Sequence, residues 1–299
     1  MNQIYHSQGT SKQNMHQRLN HILEQSEEEG QLLKVMEQVR EDHPCMGAPA
    51  MYIMLSPQTM GRDKFYSFYN KHNFKLKTKK NYRKTTNSNG VIRFENLLTD
   101  KKLTGVNQVF VSDITYYEIH AKFYYLTFIM DLYSRLIKGY SASASLHTTA
   151  TTIPALQMAM KHLKEGEKPI LHSDGGGQYY SKKFRELTED AFHNSMCESV
   201  YENAHAERIN GTIKNSYLEG YAPQSFNELK KMLKKAVEMY NTQRPHQSLD
   251  GLTPWQYEYQ ATTYPPQQGL LTKEKRSKKE KINNSNNFVK LIPKTVNLI

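Results

Sequence analysis

Three carboxylates in this 299-residue chain sit where a metal site would need them. Asp113 lies inside Gln108-Val-Phe-Val-Ser-Asp-Ile-Thr-Tyr-Tyr117, a run otherwise rich in β-branched and aromatic residues. An ionised carboxylate in such a strand is costly unless paired or metal-bound, and a metal is the economical explanation. Asp174 closes the apolar strand of "ILHSDGGGQYYS" and is followed by Gly175, Gly176 and Gly177. Asp-Gly pairs end strands cheaply by accepting positive φ, so a plain turn explains those twelve residues as well as a site does. The alternative is that residues without side chains leave room for a ligand beside Asp174. Glu207 falls in the first turn of a helix that Asn203 would cap, with Ile209, Ile213 and Tyr217 on its buried face and Asn210 one turn on. Three carboxylates with no Cys or His cluster suit a hard, oxygen-seeking cation rather than zinc.

The elements around them must bring these groups together. The segments 108–117, 121–132 and 135–141 read as an antiparallel meander joined by short polar turns. A helix over 148–163, a strand over 169–173 and a helix over 181–190 follow, so the expected fold is α/β, a mixed sheet with helices on its faces. In such sheets functional residues collect at the carboxyl ends of strands. If the fourth strand lies beside the first, Asp113 and Asp174 approach a common point. Upstream, apolar spacing predicts helices over 31–40, 49–55 and 61–72. In the last of these Phe65, Phe68, Tyr69 and His72 form a stripe and leave Arg62 and Lys64 on other faces, as the second helix of a helix-turn-helix would, although any small helical bundle has such stripes. Residues 71–84 form a basic linker with interleaved aromatics, including Lys79, Lys80 and Arg83. Ser225 to Thr242 is a packing helix, the Lys-rich end from Lys273 has no readable fold, and there is neither an internal repeat nor a heptad zipper.

A formal charge of +11 and a pI near 9.3 point to a polyanionic partner, nucleic acid before membrane. No apolar run approaches a membrane span and the polar start is no signal peptide, so a soluble, cytoplasmic protein is expected. Cys45 and Cys197 are too few for a disulfide framework and read as buried thiols. The charge is uneven: residues 61–102 carry a net +9, 271–299 a net +6, and 103–220 a net −2. That layout separates binding from chemistry, or else marks a solvated basic linker and tail. The implied organisation is a helical DNA-binding region with its basic linker over 1–102, a catalytic core over 103–262 and a basic, disordered tail over 263–299.

Five motifs stand in order: "VSDITYY", "DLYSRLIKGY", "HSDGGGQYYS", "ENAHAERINGTIKNSYL" and "YNTQRPHQSLDGLTPWQY". Sixty residues separate Asp113 from Asp174, and 32 separate Asp174 from Glu207. In this order and spacing the chain resembles the second-frame (OrfB type) transposase of the IS-three group of insertion sequences, whose core is similar to retroviral integrases. The resemblance covers roughly residues 42–259; Phe110, Gly175, Gly177 and Glu202 depart from the family's usual residues without removing a carboxylate. It implies an RNase H-like mixed five-stranded sheet flanked by helices, preceded by a small all-helical, helix-turn-helix-like domain. It further implies a DDE triad of Asp113, Asp174 and Glu207 holding two Mg²⁺ ions, with Mn²⁺ able to substitute. Such ions, about 4 Å apart, would clamp a phosphodiester for cleavage of transposon ends and strand transfer. DNA contacts are expected from Arg62, Lys64, Lys79, Lys80, Arg83, Gln178, Asn203, Asn210 and Lys214, the last two looking outward beside Glu207, with Tyr179 as a further candidate. Asp131 and Arg135 fit a structural ion pair as well as a DNA contact, His172 fits a structural hydrogen bond, and Arg244, Pro245 and His246 a structural closing motif. The partners implied are transposon ends, target DNA, further copies of the chain on DNA and the first-frame protein of the same element, in a bacterial, nucleoid-associated setting and with no membrane. The competing classes are another RNase H-like nuclease and a DNA-binding protein with a decayed core.

Overall fold

A computed structural model describes residues 11–76, 94–99, 101–197 and 204–263. The basic linker residues Lys79, Lys80 and Arg83, Asn203 and the tail from 264 lie outside the described residues. Three helices come first: α1 (Lys12–Asp42), α2 (Ala48–Leu55) and α3 (Arg62–Lys71). Helix α1 starts nineteen residues earlier than the apolar pattern predicts, because Ser11 caps it by accepting from the Asn14 N–H at 3.1 Å and the intervening residues carry no buried stripe for periodicity to detect. Met36, Met46, Met51, Phe65, Phe68 and Tyr69 close the small bundle core.

The sheet follows. Strands β1 (Val109–Ile119), β2 (Lys122–Asp131) and β3 (Ile137–Ser143) form the expected meander. His120 and Ala121 between β1 and β2 both have positive φ, as a two-residue hairpin twisted with its strands requires. Helix α4 (Thr152–Met160) is shorter than predicted at both ends, and β4 (Ile170–Ser173), α5 (Lys182–Thr188) and β5 (His193–Met196) follow. The spatial order β3-β2-β1-β4-β5, antiparallel in the first three and parallel in the rest, is that of an RNase H-like sheet. Strand β5, four residues reading His-Asn-Ser-Met, is too short and polar for pattern reading to find.

One face of the sheet packs on α6 (Ala204–Ile213) and α7 (Phe226–Thr242) through Val109, Val111, Leu126, Phe128, Ile209, Ile213, Leu229 and Leu233. The other packs on α4 and α5 through Phe110, Ile129, Leu156, Leu171 and Phe184. Gly139 lets α4 come this close, since a Cβ there would stand 2.0 Å from the Ala155 carbonyl oxygen. The chain ends its described part in α8 (Pro254–Thr263), where Glu258 accepts from the buried Lys138 ammonium of β3.

The N-terminal bundle docks on the core through His43. Its ring nitrogens meet the Tyr217 hydroxyl at 3.0 Å and the Gln243 Oε1 at 3.3 Å, while the Cys45 N–H donates to the Ser216 carbonyl. Burial first, with Arg244 and Lys235 adding to it and Gln243 and Asp42 opposing, brings this imidazole down to about 4.

Candidate active site

Strand β4 runs parallel to β1 with Ser173 opposite Ser112. The next residues, Asp174 and Asp113, therefore leave neighbouring strands at one level. Side chains alternate along a strand. Val109 and Val111 face α6, so Asp113 does too, and Asp174 keeps the parity of Ile170, which belongs to the same cluster. Asp113 Oδ1 accepts from the Ile114 N–H at 2.8 Å, and Oδ2 accepts from Asn210 Nδ2 at 2.7 Å. Burial, then the neighbouring charges of Asp174 and Glu207, push the Asp113 carboxyl up to about 7 against these two hydrogen bonds. Asp174 is also raised by burial, with the Gly176 N–H at 3.2 Å pulling the other way.

The three glycines do not serve a positive-φ turn, for only Gly166 and Gly251 among the described glycines adopt one. Gly176 is the tight position: a Cβ would sit 3.0 Å from Asp174 Oδ1 and 3.2 Å from Gln178 Oε1, whereas one at Gly177 would meet nothing within 4 Å. Room beside the Asp174 carboxylate is thus what glycine supplies here.

Glu207 occupies the first turn of α6 and is exposed. Among the described residues no three His, Cys, Asp or Glu side chains converge closely enough to hold one ion together. This is compatible with the electrostatic influence of Glu207 on Asp113, because like-charge repulsion acts over several ångströms whereas Mg²⁺ ligation needs about 2.1 Å. The donor set is all oxygen, and its central carboxylate carries charge that nearby carboxylates oppose, as befits a hard cation. Asp113 and Asp174 therefore fit such an ion, with Glu207 at the margin.

Asn210 and Lys214 do not look outward as expected. Asn210 is 5% exposed and committed to Asp113, its Oδ1 being buried without a hydrogen-bond partner. Lys214 is half-buried, its ammonium 3.3 Å from Thr115 Oγ1 and 4.8 Å from the Tyr116 ring centroid, and burial lowers its pKa. The helical spacing that predicted their common face ends at Ile213, after which Lys214–Leu218 form a π turn. Gln178 is half-buried, its Nε2 donating to the Leu146 carbonyl at 3.2 Å. Tyr179 is core, bonded to Ser112 at 2.9 Å and edge-on to Phe184, and cannot stack on a DNA end from there. Arg62 and Lys64 are exposed on α3, beside Asp63 at 3.0 Å and Glu29 at 3.8 Å respectively.

Asp131 is no partner for the Arg135 guanidinium. It accepts from the N–H groups of Asn107, Tyr133 and Ser134, while Arg135 Nη1 meets His205 Nδ1 at 2.9 Å. His172 is fully buried between Ser195 Oγ at 2.9 Å and Cys197 Sγ at 3.2 Å, a structural role. His246 packs edge-on to Tyr240, and burial with Arg244 and Arg135 brings it down to about 4. Sequence reasoning missed Asn210 as the partner of Asp113; an amide one turn beyond Glu207 was the signal.

The integrase core domain family model matches residues 104–198, and a second integrase core domain model matches 191–254. The insertion element IS600 uncharacterized 31 kDa protein of Shigella sonnei is 31% identical over 201 residues, covering 65% of this chain and 74% of that protein. The transposase InsF for insertion sequence IS3A of Escherichia coli strain K12 is 33% identical over 169 residues, 55% of this chain and 58% of InsF. The chain belongs to the transposases of the IS3 group. It spans somewhat more than half the length of InsF. Among solved structures, the HTLV-2 integrase catalytic core domain in complex with magnesium is 26% identical, covering 51% of this chain and 96% of that one at a TM-score of 0.42. That likeness is loose, and strand order carries the fold assignment. No described helix of this transposase-family chain is long and apolar enough to cross a membrane.

Proposed function

We propose that Asp113, Asp174 and Glu207 form the catalytic triad of a DNA transposase and hold Mg²⁺, most simply as a pair of ions, with Mn²⁺ as a substitute. The observation that carries this reading is that Asp113 and Asp174 leave neighbouring parallel strands at one level, beside the helix that bears Glu207 and binds Asp113 through Asn210. Bound there, the metal would activate the attacking hydroxyl and stabilise the leaving oxygen of an in-line displacement. The chain's own residues prepare the site. Asn210 orients Asp113 through its 2.7 Å bond, Gly176 keeps the flank of Asp174 open, and Ser112 with Tyr179 pins the loop after β4 against β1.

The DNA substrates are the ends of the encoding element and a target duplex. We place the first grip on DNA in the region 1–102, whose exposed Arg62 and Lys64 add to the basic linker, and assign cutting and joining to 103–262. Gln178, Asn203 and Lys214 complete the proposed DNA contacts; Lys214 would have to leave Tyr116 to do so. Further copies of the chain and the first-frame protein are the proposed partners, on DNA in the bacterial nucleoid. Family membership favours this over a hybrid-cutting nuclease, and the three retained carboxylates argue against a decayed core.

The test is incubation with Mg²⁺ and DNA carrying the element's ends, alongside calorimetric titration of Mn²⁺ into the protein. Strand-transfer products and cation binding are expected from the parent, and neither from Asp113→Asn or Asp174→Asn. A variant that keeps both would remove that residue from the site.

A further inference from the structure

Arg135 holds a backbone conformation that its own side chain disfavours. It stands at φ 63°, in the left-handed region where glycine is at home and a long side chain is strained. Asp131 builds the turn that imposes this, its carbonyl accepting from the Arg135 N–H at 2.9 Å. The Asp131 carboxylate is spent on the same turn: it accepts from the N–H groups of Tyr133 and Ser134, from the Ser134 hydroxyl and from the Asn107 N–H. The Arg135 guanidinium is left half-buried, with Nη1 donating to His205 Nδ1 at 2.9 Å. Since arginine only donates, that imidazole accepts at Nδ1 and carries its proton on Nε2. Burial, followed by Arg135 and Arg208, lowers the His205 pKa and keeps the ring neutral.

A second cation adds to the cost. Arg208 follows Glu207 in α6 and lies close enough to Arg135 to oppose its charge, on top of the larger effect of burial. Tyr240, Asp131 and Tyr257 act the other way without cancelling the two. Among the described residues neither guanidinium has a carboxylate at ion-pair distance. The pair also stands out from its surroundings, since residues 103–220 carry a net −2. Asn210 turns to Asp113 on one flank of α6, whereas His205 and Arg208, three residues apart, share another flank beside the turn 131–135. Tyr133 and Tyr257, with ring centroids 5.5 Å apart, border that flank. A strained backbone that holds one cation against another is a cost to the free protein, and an anionic ligand would offset it. Two planar guanidinium forks and an imidazole N–H, partly open to solvent beside aromatic rings, match the phosphates of a nucleic-acid backbone.

We propose that Arg135, His205 and Arg208 form a phosphate-binding site that grips the DNA backbone on the flank of α6 turned away from Asp113. The site deepens the transposase reading and rests on it, but its test reads binding alone. The full chain is titrated, in EDTA and across a salt series, into a short fluorescent duplex of arbitrary sequence, and anisotropy gives the affinity. Arg135→Gln and Arg208→Gln should each lower the slope of log affinity against log salt by about 0.9, and together by about 1.8. Arg135→Lys, which keeps the charge, should keep the parent's slope. Arg135→Gly should lower the slope yet melt no earlier than the parent, because glycine relieves the positive φ. An unchanged slope in Arg135→Gln/Arg208→Gln would overturn the proposal. So would an Arg135→Lys protein that binds like Arg135→Gln, since charge would then not be what binds. Early melting of Arg135→Gly would make the guanidinium a structural prop and overturn it equally. Strand transfer by the parent with Mg²⁺ and the element's ends keeps the two readings apart. A lost slope without any strand transfer would leave the phosphate site and remove the transposase reading, whereas equal slopes with strand transfer would do the reverse.

Discussion

His43 is the buried hinge pin between the N-terminal bundle and the catalytic core, and its protonation should loosen the whole chain. The ring is 1% exposed, bridged by Tyr217 and Gln243, and faced by Arg244, Lys235 and Asp42. Its pKa falls from 6.5 in the open chain to about 4 in the fold. A histidine depressed in this way contributes stability that is fully present above pH 6.5 and is lost as the pH falls towards 4, because the unfolded chain takes up the proton first. Between pH 7.5 and pH 5.0 that linkage removes about 2 kcal/mol. His246, brought down to about 4 in its own pocket, adds a similar loss, while the raised Asp113 carboxyl works in the opposite direction. Only a difference between proteins isolates one group. The measurement is urea unfolding of the parent and His43→Gln at both pH values. The variant should be less stable at pH 7.5, without the bridge, but its loss on acidification should be smaller than the parent's by about 2 kcal/mol. Equal acid losses in the two proteins would mean that His43 is not held neutral between Tyr217 and Gln243, and the docking described above would be wrong.

Three further outcomes are expected. Asp113→Asn should abolish strand transfer yet raise stability at pH 7.5 by up to about 4 kcal/mol in metal-free buffer, since it removes a charge opposed by burial and by Asp174 and Glu207; thermal melting with and without EDTA checks it. Ile213→Ala, at a fully buried position under the sheet, should cost about 2–4 kcal/mol, whereas Lys214→Ala should cost less and should weaken capture of DNA ends, as melting and strand transfer on the same two proteins will show. Arg62→Glu/Lys64→Glu, two exposed changes on α3, should lower the slope of log affinity against log salt by about 0.9 for each phosphate no longer neutralised, and an unchanged slope would place the DNA elsewhere.

Much of this was legible in the residues themselves. Asp113 betrayed itself as a charge in an apolar strand, and the alternation around it was enough to predict the meander, because period-two burial is a local property of the chain. The stripe on α3 and the buried face of Ile209 and Ile213 were equally local. The RNase H-like sheet, and with it the proposed triad, came from a family resemblance carried by the order and spacing of motifs.

What the sequence could not supply depends on contacts between distant residues. Residues 12–30 show no apolar face to the bundle, so no periodicity announced their helix, and β5 exists only because β4 offers it an edge to pair with. Asn210 reads as a polar residue on an outward face; only the approach of α6 to β1 reveals that its amide is the partner of Asp113. Lys214 likewise turned from an expected outward-facing side chain into a half-buried neighbour of Tyr116, since the π turn at 214–218 breaks the 3.6-residue count on which its placement relied. Composition and local spacing determine which groups are costly to bury and which elements form. Tertiary structure alone decides which distant group meets that cost, as Asn210 does for Asp113 and Tyr217 with Gln243 does for His43, because a hydrogen bond is satisfied by proximity in space and leaves no trace in sequence separation.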